Sequence, residues 1–209
     1  TELLEQLGWP SDCPIVGYIG SFVDYEGLDI LVRALAVLRN RGVVFRALFV
    51  GDGAVGPRIR QLASDLGLTD EKVVFTGRVP HAQGSRFYSL IDVCAYPRRL
   101  TPATAAVSPL KPFEAMAAKK AVIVSDVPAL VEIAGGGTRA VIAESGSVES
   151  LASALETAFA NRGETEARTE RAFNWVRTER NWANVSQRFA SVLLDAGSGR
   201  RRGSGRFYE

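Results

Sequence analysis

The sequence predicts an α/β fold, a Rossmann-like, doubly wound parallel sheet of about six strands with helices on both faces and further helices at the C-terminus. Three observations predict it. Short β-rich runs alternate with stretches of helical periodicity, the order that builds a parallel sheet joined by crossover helices. Most of the runs are continuously apolar, as strands covered on both faces must be. After the sixth run the alternation stops, and 164–194 reads as one or two helices.

Each element follows from its residues. The first strand is 15–19, and the helix after it is 28–38, where Leu28, Leu31, Leu35 and Leu38 recur at helical spacing. The second strand is 45–50; Pro57 then suits the first turn of a helix read over 58–66. The third strand is 73–76 with a helix at 83–90, and the fourth is 93–96. In the helix at 113–118, Phe113, Met116 and Ala117 share one face and read as core. The fifth and sixth strands are 121–125 and 139–143, and a helix at 148–160 follows.

Composition excludes several classes of function. With 209 residues, 46% apolar and 23% charged, the chain can bury one sizeable core and is not generally disordered. A net charge of +2 gives no bias toward nucleic acid, although only Lys72, Lys111, Lys119 and Lys120 of the 25 basic residues are lysines. No apolar run is long enough to span a bilayer, and no signal peptide opens the chain. Cys13, Cys94 and His81 cannot assemble a Cys/His zinc site, and no Asp-x-Asp occurs, so no metal site is expected. Both cysteines read as reduced core residues of a cytoplasmic protein. The nucleophile elbow G-x-S-x-G is absent, which argues against hydrolase chemistry. The start at Thr1 without Met, and a helical scrap at 2–7, fit a processed product or a piece of a longer chain.

Ligands of open α/β sheets bind beyond the carboxyl ends of the strands. Gly20-Ser21 opens a glycine-bounded loop, 20–27, after the first strand, and its amides suit an anion as well as an ordinary turn. After the second strand, Gly51-Asp52-Gly53-Ala54-Val55-Gly56 matches G-x-G-x-x-G. A nicotinamide site also needs a carboxylate at the end of the next strand, where Thr76-Gly77-Arg78 has none. The richest stretch is 96–117. Pro109 and Pro112 set a helix start whose free N–H groups favour an anion, and Lys111 adds a point charge there. Glu114, one turn inside, either accepts from two adjacent ribose hydroxyls or merely favours the helix dipole.

These motifs, in this order, carry a resemblance: Gly20-Ser-Phe with Tyr25-Glu-Gly-Leu-Asp29; Val50-Gly-Asp-Gly53; Phe75-Thr-Gly-Arg-Val-Pro-His81; Asp92 with Tyr96-Pro-Arg98; Pro109-Leu-Lys-Pro-Phe-Glu-Ala-Met-Ala117; and Val124-Ser-Asp126. Together they resemble the group 1 glycosyltransferases, the glycogen-synthase-like retaining enzymes of the GT-B fold, over about 16–194. The resemblance implies the C-terminal, donor-binding half: one domain at 1–196 that binds a nucleotide sugar linked to UDP or GDP, and a flexible Gly/Ser/Arg tail at 197–209. It implies donor contacts from Gly20, Ser21, Gly51, Asp52, Gly53, Arg78, Val79, Leu110, Lys111 and Glu114. Arg98, Arg99 and Ser108 are further candidates for the phosphates or the sugar. Implied too is sugar transfer with retention, without metal or cofactor. The acceptor, a glycan or lipid, would bind on an N-terminal domain, and this half alone should not turn over.

The departures bear on function. Ser21 and Glu26 stand where many members carry an arginine and a lysine that clamp the diphosphate. Ala105 and Ala106 stand where the family's first glutamate should contact the transferred sugar. These changes keep open a second reading, a non-catalytic nucleotide-binding module, and the fold leaves a third, a nucleotide-sugar epimerase. No catalytic residue is identified, and His81 reads as structural. The tail 197–209 reads as solvated chain, as a linker scar, or as a basic arm toward the inner face of a membrane.

Overall fold

The computed structural model describes residues 8–10, 12–68, 71–80 and 83–197. Its strands are β1 (Ile15–Ile19), β2 (Arg46–Val50), β3 (Val73–Gly77), β4 (Val93–Tyr96), β5 (Ala121–Ser125) and β6 (Val141–Ala143). They form one sheet in the order β3-β2-β1-β4-β5-β6, every pairing parallel. That is the doubly wound order, with a reversal between β1 and β4. Successive residues of β2, β4 and β5 face opposite sides of the sheet yet are almost all buried, so both faces are covered.

The helices are α1 (Leu28–Asn40), α2 (Gly56–Asp65), α3 (Gly84–Leu90), α4 (Pro102–Ala106), α5 (Lys111–Ala117), α6 (Pro128–Ala134), α7 (Val148–Ala160), α8 (Arg162–Glu179) and α9 (Trp182–Gly197). In α1 the leucines at 28, 31, 35 and 38 are all buried, and the helix packs on α7. An aromatic cluster fills the core below the carboxyl ends of β1 and β2. Phe49 stacks on Phe75 at 4.7 Å between centroids, and Phe22 meets both rings edge-on.

Several of the expected bounds shift by one or two residues, and two helices are additional. The strand read at 139–143 begins at Val141, because Arg139 completes the end of α6. Its N–H donates to the Ala134 carbonyl, and its guanidinium donates to the carbonyls of Glu132 and Ile133. The helix read from 113 begins at Lys111, with Pro112 in its first turn. The helix read over 58–66 is Gly56–Asp65, and the strand read from 45 begins at Arg46. Neither α4 nor α6 shows a period in its few residues; both are set by their ends. Thr101 and Thr104 form a reciprocal capping box ahead of α4, and α6 runs from Pro128 to a left-handed Gly135 at φ 61°.

The described residues fall into two compact units, one ending at Phe173 and the other beginning at Asn174. The first contains the sheet and α1–α7. The second comprises residues 174–179 and α9, whose Asn181 side chain caps the Asn184 N–H at 2.9 Å. No described helix is long and apolar enough to cross a membrane. His81, the scrap at 2–7 and the tail beyond Gly197 lie outside the described residues.

Candidate functional site

The strand order reverses between β1 and β4, and the crevice outside the carboxyl ends at such a reversal is where open sheets bind ligands. A cavity of about 760 Å³ opens at the carboxyl ends of β1, β2 and β3. Gly20, Ser21, Gly51, Asp52, Arg78, Val79 and Glu114 line it, together with Tyr88 and Ser85 of α3. The loops after β1, β2 and β3 thus converge with α3 and α5 on one space. Gly53, Leu110, Lys111, Arg98, Arg99 and Ser108 are not among its lining residues.

The floor of the cavity is two interlocked turns. The Gly20 N–H donates to the Val50 carbonyl at 2.9 Å, the Phe22 N–H to Asp52 at 3.0 Å, and the Val55 N–H to Phe22 at 3.2 Å. The approach is so close that a Cβ on Gly51 would stand 2.0 Å from the Gly20 oxygen, and one on Gly53 2.4 Å from the Phe22 oxygen. A Cβ on Gly56 would meet the Asp52 carboxylate at 2.7 Å. All three glycines of the G-x-G-x-x-G match therefore answer to contacts inside the protein. No dinucleotide is needed to explain them.

Lys111 reaches back over the first of these turns. Its Cε would lie 2.2 Å from a Cβ on Gly20, which holds φ at 149°. Its Nζ donates to Glu26 Oε1 at 2.7 Å and stands 5.3 Å from the centre of the Tyr18 ring. The same Glu26 oxygen accepts from an amino group of Arg98 at 2.9 Å. Glu26 and Arg98 are both buried, and a second Arg98 amino group donates to the Val107 carbonyl at 3.2 Å. Arg99 turns elsewhere, to Asp29 Oδ2 at 2.6 Å and the Asp24 carbonyl at 3.3 Å. All three cations that could offset the missing clamp are thus engaged by carboxylates, Lys111 and Arg98 by Glu26 and Arg99 by Asp29. Burial, reinforced by the charge of Glu26, pushes the Tyr18 hydroxyl well above its usual range, and it donates to the Ser21 carbonyl at 2.9 Å.

Glu114 is exposed, and its Oε2 accepts from the Tyr88 hydroxyl at 3.2 Å. The second carboxylate oxygen has no hydrogen bond in the protein among the described residues. Burial raises the Tyr88 hydroxyl above its ordinary range, and as a donor it holds Glu114, which lines the cavity together with Ser21. No group of three or more His, Cys, Asp or Glu suited to a metal ion occurs among the described residues.

This geometry agrees with what the chain is similar to. The family model of the glycosyl transferases group 1 matches residues 1–175. The chain belongs to that family. Among curated relatives it is 28% identical, over 91% of its own length, to the GDP-mannose-dependent α-(1-6)-phosphatidylinositol monomannoside mannosyltransferase of Mycolicibacterium smegmatis, covering 49% of that protein. It is 27% identical to the 2-deoxystreptamine glucosyltransferase of Streptomyces kanamyceticus, covering 85% of this chain and 45% of the relative. The chain spans about half the length of the curated relatives it matches. Among solved structures, sucrose-phosphate synthase of Thermosynechococcus elongatus superposes with a TM-score of 0.80 at 25% identity, over 94% of this chain and 49% of that one. A structure described as the C-terminal domain of a group 1 family protein from Francisella tularensis superposes at 0.72 and 19% identity, over 87% of this chain and 92% of that one.

For this group 1 transferase chain, the structure places Ala105 and Ala106 on the short helix α4, and Ala106 is exposed. No carboxylate stands at either position. Two residues of the site went unassigned at the level of sequence. Tyr88 read only as part of a helix; its signal was a hydroxyl one turn from that of Ser85, on the same helical face. Glu26 read as a missing cation, and its signal was an acidic residue flanked in sequence by Tyr25 and Gly27 inside a turn.

Proposed function

We propose that this chain is the donor-binding half of a glycosyltransferase that moves a sugar from a nucleoside diphosphate to an acceptor with retention, without metal or cofactor. The observation that carries it is the convergence of the Gly20–Ser21 turn, Arg78–Val79 and Glu114 on one cavity at the topological reversal. In this reading the free oxygen of Glu114 and its partner accept the two ribose hydroxyls. The base lies against Arg78 and Val79, and the diphosphate rests near Gly20, Ser21 and the start of α5 at Leu110 and Lys111.

The chemistry is then mainly electrostatic. As the sugar leaves, charge accumulates on the diphosphate, and the Lys111 ammonium beside Gly20 is the cation placed to stabilise it. Of the carboxylates that line the cavity among the described residues, Asp52 accepts from the Gly53 N–H and Glu114 is given to the ribose, so in this reading the departing phosphate is the acceptor's proton sink. The acceptor, a glycan or lipid, would bind the other half, and a cytoplasmic site at the inner face of a membrane accompanies a lipid acceptor. This chain alone should bind nucleotide and transfer nothing, because positioning both substrates in one dry cleft supplies about 7–11 kcal/mol.

The relatives named above include one described as GDP-mannose-dependent, and HepE of Anabaena, 22% identical, was solved in complex with UDP. Both nucleotides therefore belong in the test. Calorimetric titration with uridine and guanosine diphosphates, in magnesium and in chelator, should give one of them affinity independent of metal. Glu114→Ala should weaken it by about 2–3 kcal/mol, roughly 30- to 150-fold, with an unchanged melting temperature. Binding by neither nucleotide would overturn the proposal. The second reading, a non-catalytic module, is favoured by the alanines at 105 and 106. It predicts the same binding but no transfer when an acceptor-binding half is supplied.

A further inference from the structure

We propose that Glu26 is a positioning residue which, with Arg98, fixes the Lys111 ammonium against the Gly20 turn without cancelling its charge, and so makes the site discriminate for the diphosphate. This rests on the nucleotide-diphosphate reading above. The sign of the residue makes it unexpected, since an acid beside a diphosphate site is repulsive unless something neutralises it.

Arg98 supplies that neutralisation. A buried carboxylate is tolerated only when paired and hydrogen-bonded, and Glu26 is 2% exposed. Its Oε1 accepts from Arg98 at 2.9 Å, and Arg98 is itself anchored by the Val107 carbonyl and stands 5.4 Å from the centre of the Tyr25 ring. Glu26 and Arg98 thus form a fixed, neutral pair. Lys111 joins as a second donor at 2.7 Å, so the cluster carries a net charge of +1, and Lys111 is its more exposed cation.

Lysine gains from such an anchor, because its long flexible stem has much rotamer freedom to lose on ordering. Here its stem lies across Gly20, where no Cβ interferes, and its ammonium sits over the Tyr18 ring. Its side chain keeps 21% exposure and lies against Gly20, which itself lines the cavity. The arrangement holds one cation in place before the ligand arrives.

Charge alone and positioning predict opposite signs for the same variant, which makes the proposal decidable. Glu26→Gln removes a negative charge, so simple electrostatics predicts tighter diphosphate binding. Positioning predicts about tenfold weaker binding of the nucleoside diphosphate and unchanged binding of the uncharged nucleoside, measured by calorimetry on the whole chain. Glu26→Asp keeps the charge and the Arg98 partner but withdraws the carboxylate from Lys111 by one methylene. It should weaken the diphosphate severalfold even if the glutamine variant does not fold. Lys111→Met, which removes the cation itself, should cost at least as much as Glu26→Gln, and the double variant no more than Lys111→Met alone. Wild-type or tighter diphosphate binding by Glu26→Asp or Glu26→Gln overturns the proposal, as does equal loss of nucleoside and diphosphate. If the unaltered chain binds neither, the nucleotide reading itself falls, and this proposal with it.

Discussion

The sheet has a cavity at each end of its strands, and the two are built on different terms. At the amino ends, a space of about 380 Å³ lies among Asp12, Cys13, Asp92, Lys119 and Glu170, and several of these charges are already satisfied by the protein. Asp92 accepts from the Ile15 N–H at 2.8 Å, and Lys119 pairs with Glu170 at 3.0 Å. At the carboxyl ends, about 760 Å³ is floored by glycine turns; Arg78 has no ion pair among the described residues, and Glu114 keeps one oxygen unbonded. The first end ties strand ends together by its own hydrogen bond and ion pair, and Asp12, Arg162 and Glu166 also line it with no ion pair among the described residues. The second brings the glycine turns, a cation and a carboxylate from separate loops and helices onto one space. Volume and uncommitted charge do not separate a joint from a binding site; the convergence of loops at the carboxyl ends of the strands does.

The largest test of this contrast is at the interlocked turns. Gly53→Ala drives a methyl group into the Phe22 backbone, which cannot yield as a flexible side chain would. It should cost about 3 kcal/mol of stability in denaturant titration. In contrast, Gly163→Ala, which meets nothing within 4 Å, should be neutral or stabilising by about 0.5–1 kcal/mol. A Gly53 variant as stable as the parent would mean that the floor is not held by backbone contact.

A smaller effect is expected at the opposite end. Asp92→Ala removes the acceptor of the Ile15 N–H and should cost about 1–2 kcal/mol, read by the same titration. Nucleotide affinity should not change. If it falls, the two ends are coupled and the contrast fails.

The smallest effect near neutral pH concerns the thiols. Burial pushes Cys94 up to about 12, from an ordinary value of 9.0 in the unfolded chain. The folded state therefore retains a proton that the unfolded state releases. This contribution is complete below pH 9 and is lost as pH rises toward 12. Cys13, beside the amino-end cavity, is also raised by burial, but less completely enclosed. A thiol reagent at pH 8 should modify Cys13 first and Cys94 only as the protein unfolds, mapped by mass spectrometry of the labelled peptides.

How much of this was legible in the sequence depends on how far apart the partners are. All six strands and the helices with a full period could be read, because Leu28 to Leu38, or 93 to 96, carry their own pattern. The helices α4 and α6 could not, being a turn or two long and fixed by Thr101, Pro128 and Gly135 at their ends. Gly20, Ser21 and Glu114 were candidates from their own loop and helix positions, but Arg78 and Val79 were legible only through motif order, since nothing local says that they line the same cavity as Glu114. Glu26 was the least legible. Its partners lie 72 and 85 residues away, and an acid at 26 acquires meaning only when Arg98 and Lys111 arrive beside it. The three glycines from 51 to 56 taught the converse: a familiar spacing was met for reasons of packing.

The placement of β1 at the centre of the sheet bears on how the chain is made. β1 pairs with β2 on one side, but its other neighbour, β4, is encoded about 77 residues later, the separation of Ile15 from Asp92. At synthesis rates of about 5–20 residues per second, a nascent Ile-Val-Gly-Tyr-Ile strand waits roughly 4–15 s for that neighbour. Throughout the interval it offers an unpaired apolar edge to any other extended chain. Parallel pairing over such a span is also slow to nucleate once both strands exist. The centre of the finished sheet is thus the most aggregation-exposed segment during translation, and this domain's yield in a cell should depend on chaperone capacity far more than its final burial would suggest.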